Sequence, residues 1–155
     1  MAVRILFFKE GVCDYNPEDL KGRDMHGITL KLFPVMRIST DNESFVFQMT
    51  AKFFSEETSI LNYGFVLSMK VDGWIPVSDM DIENMKDEND TESYLKRLLA
   101  SRASVILKEI SSAVISFTRG AIAARSWTND VQALIMPEID IDSFVPAIRY
   151  TILGK

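Results

Sequence analysis

Two runs of alternating apolar residues, separated by a short polar break, constrain this fold more than any other feature of the sequence. Alternate side chains of a β-strand point to opposite faces of the sheet, so a period of two marks a strand with one apolar face. The polar break at Ser55-Glu56-Glu57 is long enough to reverse the chain. The runs therefore predict an antiparallel hairpin with apolar positions at Phe45, Phe47, Met49, Ala51 and Phe53, then Leu61, Tyr63, Phe65, Leu67, Met69 and Val71.

Two further strands precede the hairpin. Residues 28–38 again alternate apolar and polar, and Pro34 within them indicates a sheet edge or a bulge, because proline cannot donate a backbone hydrogen bond. Val3 to Lys9 supplies a first strand. The segment from Glu10 to Gly27 is too long for a hairpin turn and predicts a long crossover, a kind of loop that usually has a function. The sheet should then have about four strands and be largely antiparallel.

The second half of the chain is predicted to be helical. Residues 72–90 are rich in acids and are interpreted as a solvated linker. Asn89 or Asp90 can cap a helix whose apolar residues recur at spacings of three and four as far as the Phe117–Gly120 segment. This pattern predicts one continuous helix of about 40–50 Å, at 1.5 Å per residue.

A second, shorter helix is predicted near the C-terminus. Asp140 and Asp142 stand just before an apolar run, where a carboxylate can cap free backbone N–H groups and complement the helix dipole. The fold predicted for residues 1–155 is a single α+β domain, in which a four-stranded antiparallel sheet is followed by a long helix and a shorter C-terminal helix.

The long helix carries more apolar residues than one stripe requires. Those outside the main stripe either contact a partner subunit or widen the face that packs on the helix's own sheet, and both interpretations stay open at this point. The residues concerned are Val105, Leu107, Ile115 and Ile122.

Charge and composition disfavour several classes of function. The 22 acidic and 17 basic residues give a net charge of −5, and no segment concentrates Lys or Arg, so nucleic acid is not an expected partner. No segment approaches the roughly 20 apolar residues of a membrane span, and the apolar run after Arg4 is too short for a signal peptide. With Cys13 as its one cysteine, the protein is expected to be cytoplasmic and not inserted in a membrane.

The residues that usually perform chemistry are too few to predict an enzyme. His26 and Cys13 are the single histidine and cysteine, so they cannot form a metal-ligand set, and the seven glycines make no phosphate-binding loop. Asp140 and Asp142 could be drawn as a catalytic pair, but capping explains them better. We therefore predict a protein without catalytic residues, metal or cofactor.

Four motifs in order resemble the SecB family of export chaperones. Gly27-Ile-Thr-Leu-Lys-Leu is similar to the family's second strand, and Glu56-Glu57-Thr58-Ser59-Ile60-Leu61 to the opening of its fourth strand. Val105-Ile-Leu-Lys-Glu-Ile through Arg119-Gly120 resembles its long helix, and 137–145 its proline and capped second helix. In two places the chain departs from the family: Leu107-Lys-Glu-Ile stands where a Pro-Tyr-Ala-Arg signature is expected, and the loop after Gly120 is longer.

The resemblance implies an ATP-independent holdase that assembles as a dimer of dimers and binds unfolded or nascent polypeptide in apolar grooves. Met and aromatic side chains suit such grooves because they adapt to many clients. The alternative for each position is ordinary core packing. The implied client-binding residues are Tyr15 and Leu20 in the crossover, Ile28, Leu30 and Leu32 in the strand, and Leu134, Ile135, Met136, Phe144 and Ile148 near the C-terminus.

Two partners follow from the resemblance. Family members dock the motor SecA through acidic residues, and Glu10 and Asp14 stand at two such positions, whereas Tyr63 stands at a third where an acid is expected. Divergent SecB-like proteins instead serve an antitoxin. A function of another class stays open: a non-enzymatic structural or assembly protein that self-associates through its long helix.

Overall fold

The computed structural model describes residues 2–20, 27–39, 43–127 and 133–153, and these form an α+β fold. Five strands make one sheet in the order β1-β4-β3-β2-β5. The strands are β1 Val3–Tyr15, β2 Thr29–Ile38, β3 Phe45–Ser55, β4 Thr58–Val71 and β5 Arg149–Ile152. The helices are α1 Asp79–Met85, α2 Thr91–Arg102, α3 Ser104–Ser126 and α4 Ile141–Ala147, with a 3-10 helix at Pro17–Leu20. None of these helices is long and apolar enough to cross a membrane.

The predicted hairpin is confirmed as β3 and β4. The two strands pair antiparallel with Met49 opposite Phe65, and every apolar position predicted from the alternation is buried. The chain reverses at Glu56, whose φ of 55° lies in the left-handed region that non-glycine residues rarely adopt. The period of two was a sufficient signal here because both strands lie inside the sheet.

The sheet has one strand more than predicted. The short β5 pairs parallel with β2, but only with Val35–Ile38. The preceding part of β2, Thr29–Pro34, pairs with β3 alone among the described residues, and we call it the β2 free edge. Pro34 therefore lies at an edge, as predicted, and not at a bulge, since the β2–β3 register is unbroken.

Strand β1 is longer than predicted. It continues through Glu10 to Tyr15, which were assigned to the crossover. Its pairing with β4 shifts register between Ile5 and Phe7 and again between Glu10 and Cys13. Each irregularity removes the alternation by which a strand is recognised in sequence, and this explains the missed residues.

The single long helix is two helices. Ala103, with φ −132° and ψ 28°, interrupts the helical geometry between α2 and α3, and α3 continues past Gly120 to Ser126. The cap at Asp90 is confirmed, because its carboxylate accepts from the Ser93 N–H. The predicted acidic linker contains α1, which begins with a capping box between Ser78 and Asp81.

The helices cover one face of the sheet. Phe144 of α4 lies over Phe47 with ring centroids 6.5 Å apart, and Phe117 of α3 lies 5.3 Å from Phe65. Of the extra apolar residues on the long helix, Val105 is exposed, whereas Leu107, Ile115 and Ile122 are buried and belong to this chain's own core. The opposite face of the sheet, which carries Lys31 and Lys52, stays exposed to solvent, and we call it the open face.

Candidate functional site

The outer strand β1 exposes an apolar edge. Five of its apolar residues are between 39% and 59% exposed, whereas the apolar residues of β3 and β4 that face the helices are buried. An edge strand also leaves a row of backbone N–H and C=O groups without partners, which makes it a template for another strand. We call this surface the β1 edge: Ile5, Leu6, Phe7, Phe8 and Val12.

A groove of about 450 Å³ lies between β1 and α3. Phe8 forms one wall, with its ring centroid 5.1 Å from that of Phe117. Gly120 and Ala124 leave the groove open on the helix side, and a Cβ placed on Gly120 would meet nothing within 4 Å. The groove is apolar and continues the β1 edge, so a partner strand or helix could bury both at once.

One end of this groove is closed by an ion pair between Arg125 and Glu10. The hydrogen bond that Arg125 donates to the Glu10 carboxylate raises the pKa of Arg125. Burial, followed by the nearby Glu10 charge, raises the pKa values of both Cys13 and Tyr63. Cys13 is therefore a protonated thiol at neutral pH, which makes it a poor nucleophile.

The β2 free edge contains two of the predicted client-binding residues, Leu30 and Leu32, and a third, Ile28, directly precedes it. Ile28, Leu30 and Leu32 are half-buried against the core beside backbone groups that β5 does not reach. Tyr15 is also half-buried, but its hydroxyl donates to the Ser126 carbonyl at 2.8 Å and so fixes the end of β1 to the end of α3. Ile28, Leu30 and Leu32 make a continuous apolar row along β2, and we call this row the apolar margin.

The predicted residues near the C-terminus divide into two groups. Ile135 is 64% exposed. Leu134, Met136, Phe144 and Ile148 are at most 5% exposed and pack in this chain's own core, so a client reaches them only if the 133–148 segment moves. Leu20 ends the 3-10 helix, and its side chain lies outside the described part of the chain.

The two acids predicted for motor docking do not form one patch. Glu10 pairs in register with Phe65 on the helix side and is bound to Arg125. Asp14 pairs with Asn62, on the open face. Alternate side chains of a strand point to opposite faces of the sheet, so the two carboxylates lie on different faces of β1.

The apolar β1 edge was not predicted as a functional surface. A signal for it exists in Ile5-Leu6-Phe7-Phe8, because four consecutive apolar residues cannot all face one side of a strand. At least one of these side chains therefore had to be exposed to solvent or covered by a helix, a loop or a partner chain. Among the described residues, no group of His, Cys, Asp and Glu is arranged to hold a metal ion.

The arrangement of sheet and helices defines an α+β fold of the SecB-like type. It is similar to the SecB-like chaperone Rv1957 of Mycobacterium tuberculosis, solved in complex with a ChAD peptide from the antitoxin HigA1. The likeness covers 89% of this chain and 88% of that chain, with a TM-score of 0.51 and 8% sequence identity. At that identity the likeness establishes the fold alone. No protein-family model and no curated protein matches the sequence.

Proposed function

We propose that this protein is an ATP-independent holdase that binds unfolded polypeptide along the β2 free edge. The observation that carries the proposal is the combination, at one edge, of backbone groups that no strand in the described ranges pairs with and the half-buried side chains of Ile28, Leu30 and Leu32. An extended segment can add to such an edge as a strand, and its side chains then meet the apolar margin. The exposed Ile135 is the proposed further contact.

The energetics of such binding favour weak capture and easy release. Burying on the order of 1,000 Å² of client apolar surface at ~25 cal/mol per Å² gives roughly 25 kcal/mol before costs. Ordering about ten client residues at ~1–2 kcal/mol each cancels much of this. Release then requires no nucleotide hydrolysis, and several sites on one oligomer supply the affinity for long unfolded chains.

Self-association is assigned to the β1 edge, and the proposed assembly is a dimer of dimers. Two copies of one edge strand can pair antiparallel about a two-fold axis, so each buries the same surface. That pairing would cover the exposed side chains of Leu6, Phe7 and Val12, which are a liability in a monomer. The groove beside α3 lies next to the same edge and would be covered with it.

The test is light scattering from a chemically unfolded, aggregation-prone client diluted into buffer with near-stoichiometric protein and no nucleotide. Suppression by the wild type is expected, and Leu30→Asn and Leu32→Asn should weaken it by about fivefold or more, since polar groups replace the apolar margin. Thr29→Asn is the matched control, because Thr29 is exposed on the other face of the same strand. Circular dichroism would verify that each variant is folded.

The client class has two forms within this proposal. In the first form, the client is a dedicated antitoxin. The similar structure of Rv1957 with a bound antitoxin peptide favours this form. Export is the other; it predicts binding to the basic, zinc-binding tail of SecA with strong salt dependence, through Asp14 on the exposed side of β1. Absence of that binding at low salt would remove the export form.

The second candidate function is a structural or assembly protein that self-associates through its long helix. Val105, 66% exposed on α3, and the apolar β1 edge favour it. A protein of this kind would form oligomers yet leave client aggregation unchanged. A folded, oligomeric wild type that fails the scattering test would therefore select this function over the holdase.

A further inference from the structure

The open face of the sheet gathers lysines from three strands. Lys9 of β1, Lys31 of β2 and Lys52 of β3 all lie on this face, while the whole chain carries a net charge of −5. Within the described ranges, none of the three forms an ion pair. Asp14 of β1 lies on the same face, and the three lysines outnumber it. The face is thus locally basic on an acidic molecule, and it lies on the far side of the sheet from the helices.

Two of these lysines repel each other, and a bound anion would reduce that repulsion. Lys31 and Lys52 are direct cross-strand partners, and like charges in that position repel each other. Each ammonium group lies over a ring instead of a carboxylate: Lys31 Nζ is 5.4 Å from the Phe54 centroid and Lys52 Nζ is 5.3 Å from the Phe33 centroid. The pair therefore presents two oriented positive charges, and neither is paired with a carboxylate of the described residues.

A hollow of about 480 Å³ adjoins Lys52 and extends to Lys9. Its floor is formed at Gly64, where an added Cβ would lie 3.7 Å from the Met49 carbonyl oxygen and the Thr50 hydroxyl oxygen, which is ordinary contact. Packing thus does not require a glycine here, and the missing side chain leaves the hollow open. Gln48, Thr50 and Asn62 add polar groups to its lining.

One acceptor in the hollow lacks a donor. The amide oxygen of Asn62 is buried and makes no hydrogen bond within the described part of the chain. A buried acceptor without a partner is costly, and a ligand that brings an N–H group would satisfy it. The hollow therefore offers cationic donors at Lys9 and Lys52 and an acceptor between them, while Glu10, which also lines it, has its carboxylate bound to Arg125.

We propose that the open face binds an acidic polypeptide segment, with a side-chain carboxylate held between Lys9 and Lys52 and a backbone N–H donated to Asn62. A peptide carries both groups a few ångströms apart, so one residue can satisfy both requirements. This site lies on the opposite face from the proposed client-binding margin, and it stands whether or not the protein is a holdase.

An acidic peptide fits this face better than a nucleic acid does. Three lysines spread over three strands match the few charges of a short acidic segment, whereas a polyanion would meet the acidic remainder of the molecule. Both phenylalanine rings are already covered by ammonium groups, so base stacking would have to displace them.

The experiment is fluorescence anisotropy with a fluorescein-labelled peptide of alternating Glu and Ala, titrated with the full chain at low and at physiological ionic strength. We expect saturable binding that weakens with salt. Lys9→Glu and Lys52→Glu should each reduce affinity about tenfold or more, because a repulsive charge replaces an attractive one. Lys96→Glu, on the exposed side of α2, is the charge-matched control and should change affinity less than about twofold.

Gly64→Ala distinguishes a shaped site from non-specific charge attraction, because it places a methyl group on the floor of the hollow without changing the charge. Its expected effect is a several-fold loss of peptide affinity with unchanged thermal stability. Three results would overturn the proposal: no binding of the acidic peptide at low ionic strength, equal losses in Lys52→Glu and Lys96→Glu, or tighter binding of labelled oligothymidylate through the same lysines. Leu30→Asn should keep full peptide affinity, so failure of the holdase proposal would leave this test intact.

Discussion

At the scale of single residues, Tyr150 makes stability sensitive to alkaline pH. Burial raises the pKa of its phenol from 10.0 to about 12. The folded state thus favours the neutral phenol, so this contribution is complete below a pH of about 10 and is lost as the pH rises through about 12. Denaturant unfolding across this range should show a decline in the free energy of unfolding that Tyr150→Phe reduces. Tyr94→Phe, at a half-buried site, should keep the decline.

Asp81 has the opposite pH dependence. Burial disfavours its charge, but hydrogen bonds from the Arg102 guanidinium and from Ser78 outweigh burial and lower the pKa of the carboxyl group. A lowered pKa stabilises the fold above a pH of about 4, and the contribution is lost as the pH falls through the folded-state value.

Replacing this carboxylate should therefore destabilise the protein at neutral pH. Asp81→Asn is expected to cost about 2 kcal/mol, because Arg102 loses its anionic partner and a neutral amide oxygen is a weaker acceptor for the Ser78 N–H. The variant should also lose part of the acid-induced decline. Asp79→Asn, an exposed acid in the same first turn, is the control, and an equal loss in both variants would contradict this role for Asp81.

The acidic residues show which single-residue roles could be predicted from the sequence. Capping acids such as Asp90 and Asp140 were predicted correctly, because a cap depends on neighbours within three positions. Asp81 was assigned to a solvated linker, because its cation at Arg102 is distant in sequence and only the folded chain brings the two together.

At the scale of elements, α4 is held to the sheet by Phe144. Its ring is 5% exposed and stacks on Phe47 with an interplanar angle of 14°. Phe144→Ala should lower the free energy of unfolding by about 3–4 kcal/mol, through lost burial and the cavity left behind. Val145→Ala, one position further along α4 and half-buried, should cost less than half as much. Equal costs would mean that α4 contributes little to the core.

The β1 edge carries the prediction for assembly. Phe7 is 59% exposed at the middle of this edge, where a charged side chain opposes strand pairing. Phe7→Lys should therefore reduce the oligomer to smaller species in sedimentation velocity without changing the melting temperature by more than a few degrees. Glu57→Lys, in the exposed hairpin turn, is the control. An unchanged oligomer in Phe7→Lys would place the interface elsewhere.

Element boundaries followed from sequence where the pattern was regular. The hairpin, the cap of α2 and the cap of α4 were predicted correctly. The break at Ala103 was not, since no proline or glycine stands there and only the backbone conformation of Ala103 separates α2 from α3. Strand β5 was missed because four residues carry too little alternation to be recognised.

At the scale of the whole molecule, the number of linked sites should determine client affinity. A long unfolded chain can occupy several sites on one oligomer, whereas a short peptide occupies one. We expect the wild type to bind the long client about a hundredfold more tightly than a short segment of it, by titration calorimetry. Phe7→Lys should lose most of that advantage yet keep its affinity for the segment. Equal affinities for both ligands in the wild type would rule out multivalent binding.

The sequence by itself determined the local features of this protein: the hairpin, the helix caps and the α+β class. These depend on periodicity and on neighbours a few residues apart, which a linear pattern records. Only the tertiary structure decided which apolar residues are buried and which charges meet. Phe144 and Leu134, predicted to bind clients, lie in the core, and Lys9, Lys31 and Lys52 share one face although no segment of the chain is basic. The reason is that strand pairing joins residues that are distant in sequence, so its register sets which side chains become neighbours.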